Sequence, residues 1–149
     1  MMKQEKMDQY FMRVAQLTAE LSYAKRKKVG AVLAKDSRII SIGYNGTPHG
    51  WDNCCEEVMP DGSLKTKSCV VHAEANALFW CAKTEIITNG STMYLTLSPC
   101  ATCALGLIQS GIVRVVYLEA YRDLTGVEVL EKAGIHVEQL SLLPNINSF

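Results

Sequence analysis

His72, Glu74, Cys100 and Cys103 supply one imidazole, one carboxyl and two thiols, the first two within His-Ala-Glu and the others within Pro-Cys-Ala-Thr-Cys. An imidazole and two thiolates suit Zn2+, and three protein ligands leave the fourth tetrahedral position open. A water placed there has its pKa lowered to about 7, so hydroxide is available at neutral pH. Glu74, outside the three ligands, is free to move protons as general base and acid. The chemistry within reach is metal-assisted hydrolysis. A Cys-x-x-Cys pair alone would equally fit a redox couple or a structural zinc. A redox couple gives no role to His72 and Glu74, and a closed structural site needs a fourth ligand. Cys69, before the expected helix, and Cys81, well past His72, are candidates without being obvious ones.

The elements that must position these groups follow from periodicity. Residues 73–83 carry Ala, Leu, Phe and Trp at helical spacing, which predicts a helix whose first turn lies at or near His72. Glu74 would then sit about 200° around the axis from His72, still able to reach the open side of a metal beyond the helix end. Pro99 suits the first turn of a second helix over residues 100–110 that stops at Gly111, making Cys100 and Cys103 i, i+3 neighbours. Two helix N-termini converging on one metal would favour thiolate over thiol.

Around this pair, Tyr10, Val14, Leu17 and Leu21 predict an amphipathic helix over residues 8–23 with those four on the core. Residues 29–34 and 39–43 read as hairpin strands joined by Lys35-Asp36-Ser37-Arg38. Residues 44–67 turn to Gly, Pro, Asn, Asp and charge, which predicts a long functional loop. Strand 92–97, helix 100–110, strand 113–118, helix 124–133 and strand 135–140 follow, with Gly111 and Gly134 as left-handed helix ends. This βαβαβ pattern implies parallel strands with right-handed crossovers. Joined to the hairpin it gives an α/β fold, a three-layer α/β/α arrangement with a mixed five-stranded sheet. Ligands of such sheets collect at strand C-terminal ends, where residues 98–103 fall. From Leu143 onward the sequence carries no signal, and a mobile tail is expected.

The 149 residues, 48% hydrophobic, suffice for one core, so a single domain over residues 1–149 is expected. Six cysteines, a polar start and no apolar run approaching 18 residues lead to the expectation of a soluble, cytoplasmic protein with no membrane segment. Fifteen basic and fifteen acidic residues cancel, which removes any general attraction for a polyanion and disfavours a nucleic-acid partner.

Beyond His72-Ala73-Glu74 and Ser98-Pro99-Cys100-Ala101-Thr102-Cys103, the chain carries Tyr10-Phe11-Met12, Val29-Gly30-Ala31 and Gly43-Tyr44-Asn45-Gly46-Thr47-Pro48-His49-Gly50. On these motifs it resembles the zinc-dependent cytidine/deoxycytidylate deaminases from Tyr10 to about Val137. The Gly-Tyr-Asn-Gly-x-Pro-x-Gly stretch, with an insertion before His-Ala-Glu, is similar to the deoxycytidylate (dCMP) branch. That resemblance implies a cytidine-deaminase-like fold and hydrolysis of dCMP to dUMP and ammonia, supplying dUMP for thymidylate synthesis. It implies one catalytic Zn2+ per chain on His72, Cys100 and Cys103. Glu74 would take a proton from water and pass protons to N3 and the leaving amino group as C4 is attacked.

By the same resemblance the Ala73 N–H would hold the pyrimidine carbonyl, Asn45 would orient the sugar, and a carbonyl near Ser98 would accept from the exocyclic amine. A nucleotide substrate also needs a phosphate clamp, for which Arg26 and Tyr121-Arg122 are the candidates. The run Lys25-Arg26-Lys27-Lys28 would alternatively be a solvated helix end. The resemblance further implies a homo-oligomer, commonly a hexamer, activated by dCTP with Mg2+ and inhibited by dTTP. Asn45, Gly46, His49, Gly50 and Trp80 would serve the effector site, with Trp80 as an ordinary packing residue on the other reading. Relatives with a second, structural zinc have an acidic residue where this chain has Val70. Cys54, Cys55 and Cys69 are therefore expected to be free buried thiols, or else an unusual metal set.

Two rivals remain. A polynucleotide deaminase, acting on tRNA adenosine or single-stranded DNA cytosine, would need a basic groove. A non-catalytic zinc-containing nucleotide sensor would have no use for Glu74.

Overall fold

The computed structural model describes residues 2–144. Its elements in chain order are α1 (Lys3–Ala19), β1 (Gly30–Lys35), β2 (Arg38–Tyr44), β3 (Glu56–Val58), β4 (Leu64–Thr66), α2 (Ala73–Thr84), β5 (Thr92–Leu97), α3 (Ala101–Gln109), β6 (Arg114–Glu119), α4 (Thr125–Lys132) and β7 (His136–Gln139). Five strands form one mixed sheet in the order β2-β1-β5-β6-β7. β1 is antiparallel to β2 and β5, whereas β5, β6 and β7 run parallel, as the βαβαβ pattern predicts. The β1–β2 turn places Asp36 and Ser37 at φ 52° and 60°, a twist that keeps the two strands paired. Gly111 and Gly134, at φ 78° and 82°, follow the ends of α3 and α4.

Strand alternation divides the core between the two faces. Val32, Ala34, Tyr94 and Val116 pack on Phe11, Met12 and Ala15 of α1. Leu33, Met93, Leu95 and Val115 meet Ala77, Leu107 and Leu130 of α2, α3 and α4. The sheet therefore lies between one helix and three.

α1 buries a different face from the one its apolar spacing predicts. Tyr10 and Leu17 are exposed, Leu21 is exposed beyond the helix end, and only Val14 of the four packs partly on the core. Asp8, Phe11, Met12, Ala15 and Ala19 are buried instead. Gly30 explains part of this rotation: a Cβ there would lie 1.9 Å from the Ala15 carbonyl oxygen, so β1 approaches the helix where its residues are small. Asp8 explains the rest. Arg114 on β6 grips it through Nη2 to Oδ2 at 2.7 Å and Nη1 to Oδ1 at 2.8 Å, and the Tyr94 hydroxyl donates to Oδ1 at 2.6 Å. A satisfied carboxylate in a core position escapes any pattern that counts apolar side chains.

Residues 44–67 likewise hold more order than a loop, since β3 and β4 pair as an antiparallel hairpin. Three-residue strands reading Glu-Glu-Val and Leu-Lys-Thr carry too little alternation to be seen in sequence. The expected tail is also fastened at its start. The Leu143 N–H donates to Gln9 Oε1 at 3.0 Å, and Arg13 donates to the Leu143 carbonyl. Residues 145–149, the rest of that expected tail, lie outside the described residues. Among the described residues no helix is long and apolar enough to cross a membrane.

Candidate active site

α2 and α3 begin on the same cavity, and each is preceded by an extended residue bearing a metal-binding side chain. His72 is the N-cap of α2 at φ −70°, ψ 157°, and Cys100 is the N-cap of α3 at φ −73°, ψ 168°. The Cys100 sulfur accepts from the Cys103 N–H at 3.5 Å, as a Ser or Asp oxygen would in the same position. Pro99 therefore precedes the cap rather than occupying the first helical turn. The approach to His72 is fixed by the Gly-Tyr-Asn-Gly segment. The Val71 N–H donates to the Gly46 carbonyl at 2.8 Å, the Gly46 N–H donates back at 3.1 Å, and Asn76 Nδ2 donates to the Tyr44 carbonyl at 2.8 Å.

His72 Nδ1 lies 3.6 Å from Cys100 Sγ and 3.4 Å from Cys103 Sγ, and all three ligand atoms lie within 4.8 Å of one another. Tetrahedral zinc with ordinary Zn–S and Zn–N bonds requires S···N edges of roughly 3.5 Å. The three atoms thus have the dimensions of one face of a zinc tetrahedron, and the residues fit the ion. Hydrogen bonds with Cys103 and His72 draw the Cys100 thiol well below its ordinary range, while the hydrogen bond to Cys100 and burial push Cys103 up. The hydrogen bond with Cys100 raises His72, aided by the charge of Glu74 and opposed by burial.

Glu74 Oε1 stands 3.9 Å from His72 Nδ1, and Glu74 is not among the three clustered ligands. Burial pushes its carboxyl above the usual carboxylate range against the pull of His72. That direction suits a group that must both take and give a proton near neutral pH.

The cavity holding these groups measures about 570 Å3. Arg26, Asn45, Ala73, Ser98, Tyr121 and Arg122 all line it with His72, Glu74 and Cys100. Gly46, His49, Gly50 and Trp80 do not line it; His49 and Gly50 are exposed, and Trp80 is half exposed on α2 rather than packed in the core. Asn45 is already committed to its own chain: Oδ1 accepts from the Val29 N–H and Nδ2 donates to the Lys27 carbonyl, both at 2.9 Å. One amide proton and one lone pair remain for a ligand. Ser98 Oγ accepts from the Tyr121 N–H at 2.7 Å, tying the β6–α4 loop to the end of β5. The Arg122 guanidinium lies 5.7 Å over the Tyr121 ring.

Three cavity features went unseen in the sequence. Lys27 and Glu119 line the wall as an ion pair, Nζ to Oε2 at 2.6 Å. Glu56 of the unpredicted β3 accepts from the Lys25 and Arg26 N–H groups at 2.9 and 3.1 Å, fixing the backbone that presents Arg26. Thr66 of β4 accepts from Arg26 Nη1 at 3.3 Å. The available signals were the position of Glu119 at the end of β6 and the place of Lys27 in the basic run. Cys54 is exposed, Cys55 buried and Cys69 intermediate, so buried thiols describe one of the three. Among the described residues they form no metal-sized group.

The family model for the cytidine and deoxycytidylate deaminase zinc-binding region matches residues 5–119, which include His72, Glu74, Cys100 and Cys103. The chain is 39% identical over 140 residues to the deoxycytidylate deaminase of Saccharomyces cerevisiae, covering 90% of this chain but 45% of that protein. It therefore spans less than half the length of the yeast enzyme. It is 35% identical over 165 residues to the deoxycytidylate deaminase of Enterobacteria phage T4, covering 85% of this chain and 86% of that one. The crystal structure of dCMP deaminase from the cyanophage S-TIM5, in complex with dCMP and dUMP, matches with a TM-score of 0.84 at 40% identity over 94% of this chain and 99% of that one. With its zinc-sized His-Cys-Cys face, the buried glutamate beside it and these matches, the chain belongs to the zinc-binding cytidine and deoxycytidylate deaminase family.

Proposed function

We propose that the protein hydrolyses dCMP to dUMP and ammonia, supplying dUMP for thymidylate synthesis. The observation that carries this reading is one cavity that joins a buried Glu74, beside the His72, Cys100 and Cys103 ligand set, to the cations Arg26 and Arg122. His72, Cys100 and Cys103 would hold one zinc per chain, which would supply an acidified water at neutral pH. Glu74 takes a proton from the attacking water and gives it to N3, then takes the proton of the new C4 hydroxyl and gives it to the departing amino group as the C4–N bond breaks and the C4 carbonyl forms. The Ala73 N–H is one of the first donors of α2, which have no partner within the helix, and it holds the pyrimidine carbonyl. A backbone carbonyl near Ser98 accepts from the exocyclic amine, and Asn45 offers its remaining polar capacity to the sugar. Arg26, Tyr121 and Arg122 receive the phosphate.

Regulation and assembly belong to the same proposal. Exposed His49 and Gly50 beside Asn45 and Gly46, with exposed Trp80, support an effector surface for dCTP with Mg2+ and for dTTP. Exposed Tyr10 and Leu17 on α1, and Phe79 and Trp80 on α2, support homo-oligomer contacts of the kind a hexamer makes. Six free cysteines support a reducing, cytoplasmic setting, and the two core clusters on one sheet support a single catalytic domain.

A substrate panel tests the reading. Zinc-loaded protein with dCTP and Mg2+ should release ammonia from dCMP and leave cytosine in a single-stranded oligonucleotide, and adenosine in a tRNA anticodon loop, untouched. Turnover of either polymer in preference to dCMP would replace it with the polynucleotide deaminase, and tight nucleotide binding without turnover would replace it with the sensor.

A further inference from the structure

The part of the cavity proposed to receive the phosphate includes an acidic side chain. Arg26, Lys27 and Arg122 line the cavity together with Glu119, which stands at the C-terminal end of β6 and pairs with Lys27 at 2.6 Å. The nearby carboxylates are otherwise occupied: Glu56 accepts from backbone N–H groups and lies outside the wall, and Asp123 accepts from the Thr125 N–H at 2.9 Å and hydroxyl at 2.6 Å. With Glu74 set apart beside the ligand set, the remaining three cations and one carboxylate of the lining sum to +2. A phosphomonoester carries a charge approaching −2 at neutral pH, and each further phosphate adds at least one more negative charge.

We propose that Glu119 is a specificity-determining residue that restricts the cavity to nucleoside monophosphates. Paired with Lys27, it offsets one of the three cations and brings the wall to the charge of a single phosphate. It also presents a negative group in the same wall that would receive a second phosphate. Lys27 keeps enough of its charge exposed to meet the first phosphate, because both members of the pair are about half exposed (49% and 57%). Like charges set against each other select against a ligand more sharply than a missing contact does. This inference rests on the reading of the cavity as a dCMP site.

The test uses product binding, which needs no turnover. Calorimetric titration of the zinc-loaded full chain with dUMP, dUDP and deoxyuridine, without added magnesium, should show wild type preferring dUMP over dUDP. Glu119→Gln should narrow that preference by about tenfold, chiefly through tighter dUDP binding, with deoxyuridine unchanged. Lys27→Gln, which leaves Glu119 unpaired, should weaken dUMP and keep or widen the preference. An unchanged dUMP-to-dUDP ratio in Glu119→Gln, equal weakening of all three ligands, or no preference in wild type would overturn the proposal. Should Glu119→Gln fail to fold, a narrowed ratio in Lys27→Gln would overturn it on its own. Selective dUMP binding without ammonia release from dCMP would instead count against the proposed reaction alone.

Discussion

His72 Nδ1 and Glu74 Oε1 lie 3.9 Å apart, although a continuous helix sets positions two apart about 200° around its axis. The proximity arises because His72 is an extended N-cap, free of the helical screw, while Glu74 lies within the first turn of α2. At 3.9 Å the two are not hydrogen-bonded, so Glu74 is held beside the ligand set without being tied to the imidazole. On the proposed reaction, this arrangement would separate the metal-holding role from the proton-carrying one.

Metal content follows from the ligand geometry. Wild-type protein should contain one zinc per chain by elemental analysis, and Cys100→Ser or His72→Ala should reduce this well below one. Two zinc ions per chain would show that Cys54, Cys55 and Cys69 assemble a site absent from this conformation.

Arg122 should report on phosphate alone. Arg122→Ala should raise KM for dCMP by about tenfold or more while leaving KM for deoxycytidine nearly unchanged, as expected when one charge-assisted hydrogen-bonding partner is lost. Equal effects on both substrates would remove Arg122 from the phosphate clamp.

Asn45 should behave differently, because its amide fastens the Val29 and Lys27 backbone. Asn45→Ala should cost about 1–3 kcal/mol of stability by leaving these groups unpaired, and should raise KM for dCMP and deoxycytidine together. Chemical denaturation and paired kinetics check both parts.

The Asp8–Arg114 pair gives the fold a pH dependence. Burial raises the Asp8 carboxyl, but hydrogen bonds from Arg114, Tyr94 and Gln4 outweigh it, so the folded value lies below the ordinary 3.8. A depressed carboxylate contributes stability that is fully present above 3.8 and is lost as pH falls through the lower folded value. Asp8→Ala should therefore destabilise by about 1–3 kcal/mol at pH 7, because it removes the bidentate partner of a partly buried Arg114 that keeps only Glu138 as a counter-charge. The difference from wild type should shrink below pH 3.8. Urea unfolding across that range measures it.

The chemistry was more legible in the sequence than the packing. His72, Glu74, Cys100 and Cys103 are named by side-chain type and spacing; α2 starts at Ala73 as its periodic run predicts, and α3 at Ala101, one residue past the expected start. The parallel half of the sheet was legible too, because Gly111 and Gly134 mark where each helix gives way to a strand. α1 misled because its core face combines Phe11 and Met12 with alanines and a satisfied Asp8, while Tyr10 and Leu17 point outward. The Glu56, Thr66 and Glu119 contributions to the cavity were hidden because they depend on pairings between distant segments, Glu56 with residues 25 and 26 and Glu119 with Lys27. No local pattern encodes such a pairing.

The most direct test is ammonia release from dCMP by zinc-loaded protein, with dCTP and Mg2+ present, for wild type and Glu74→Gln side by side with their zinc content. Wild type should turn over, and Glu74→Gln should lose at least about a hundredfold in kcat with its zinc retained, as removal of the proton-carrying group requires. Fully zinc-loaded wild type that releases no ammonia, or a Glu74→Gln variant that turns over at the wild-type rate, would contradict the account.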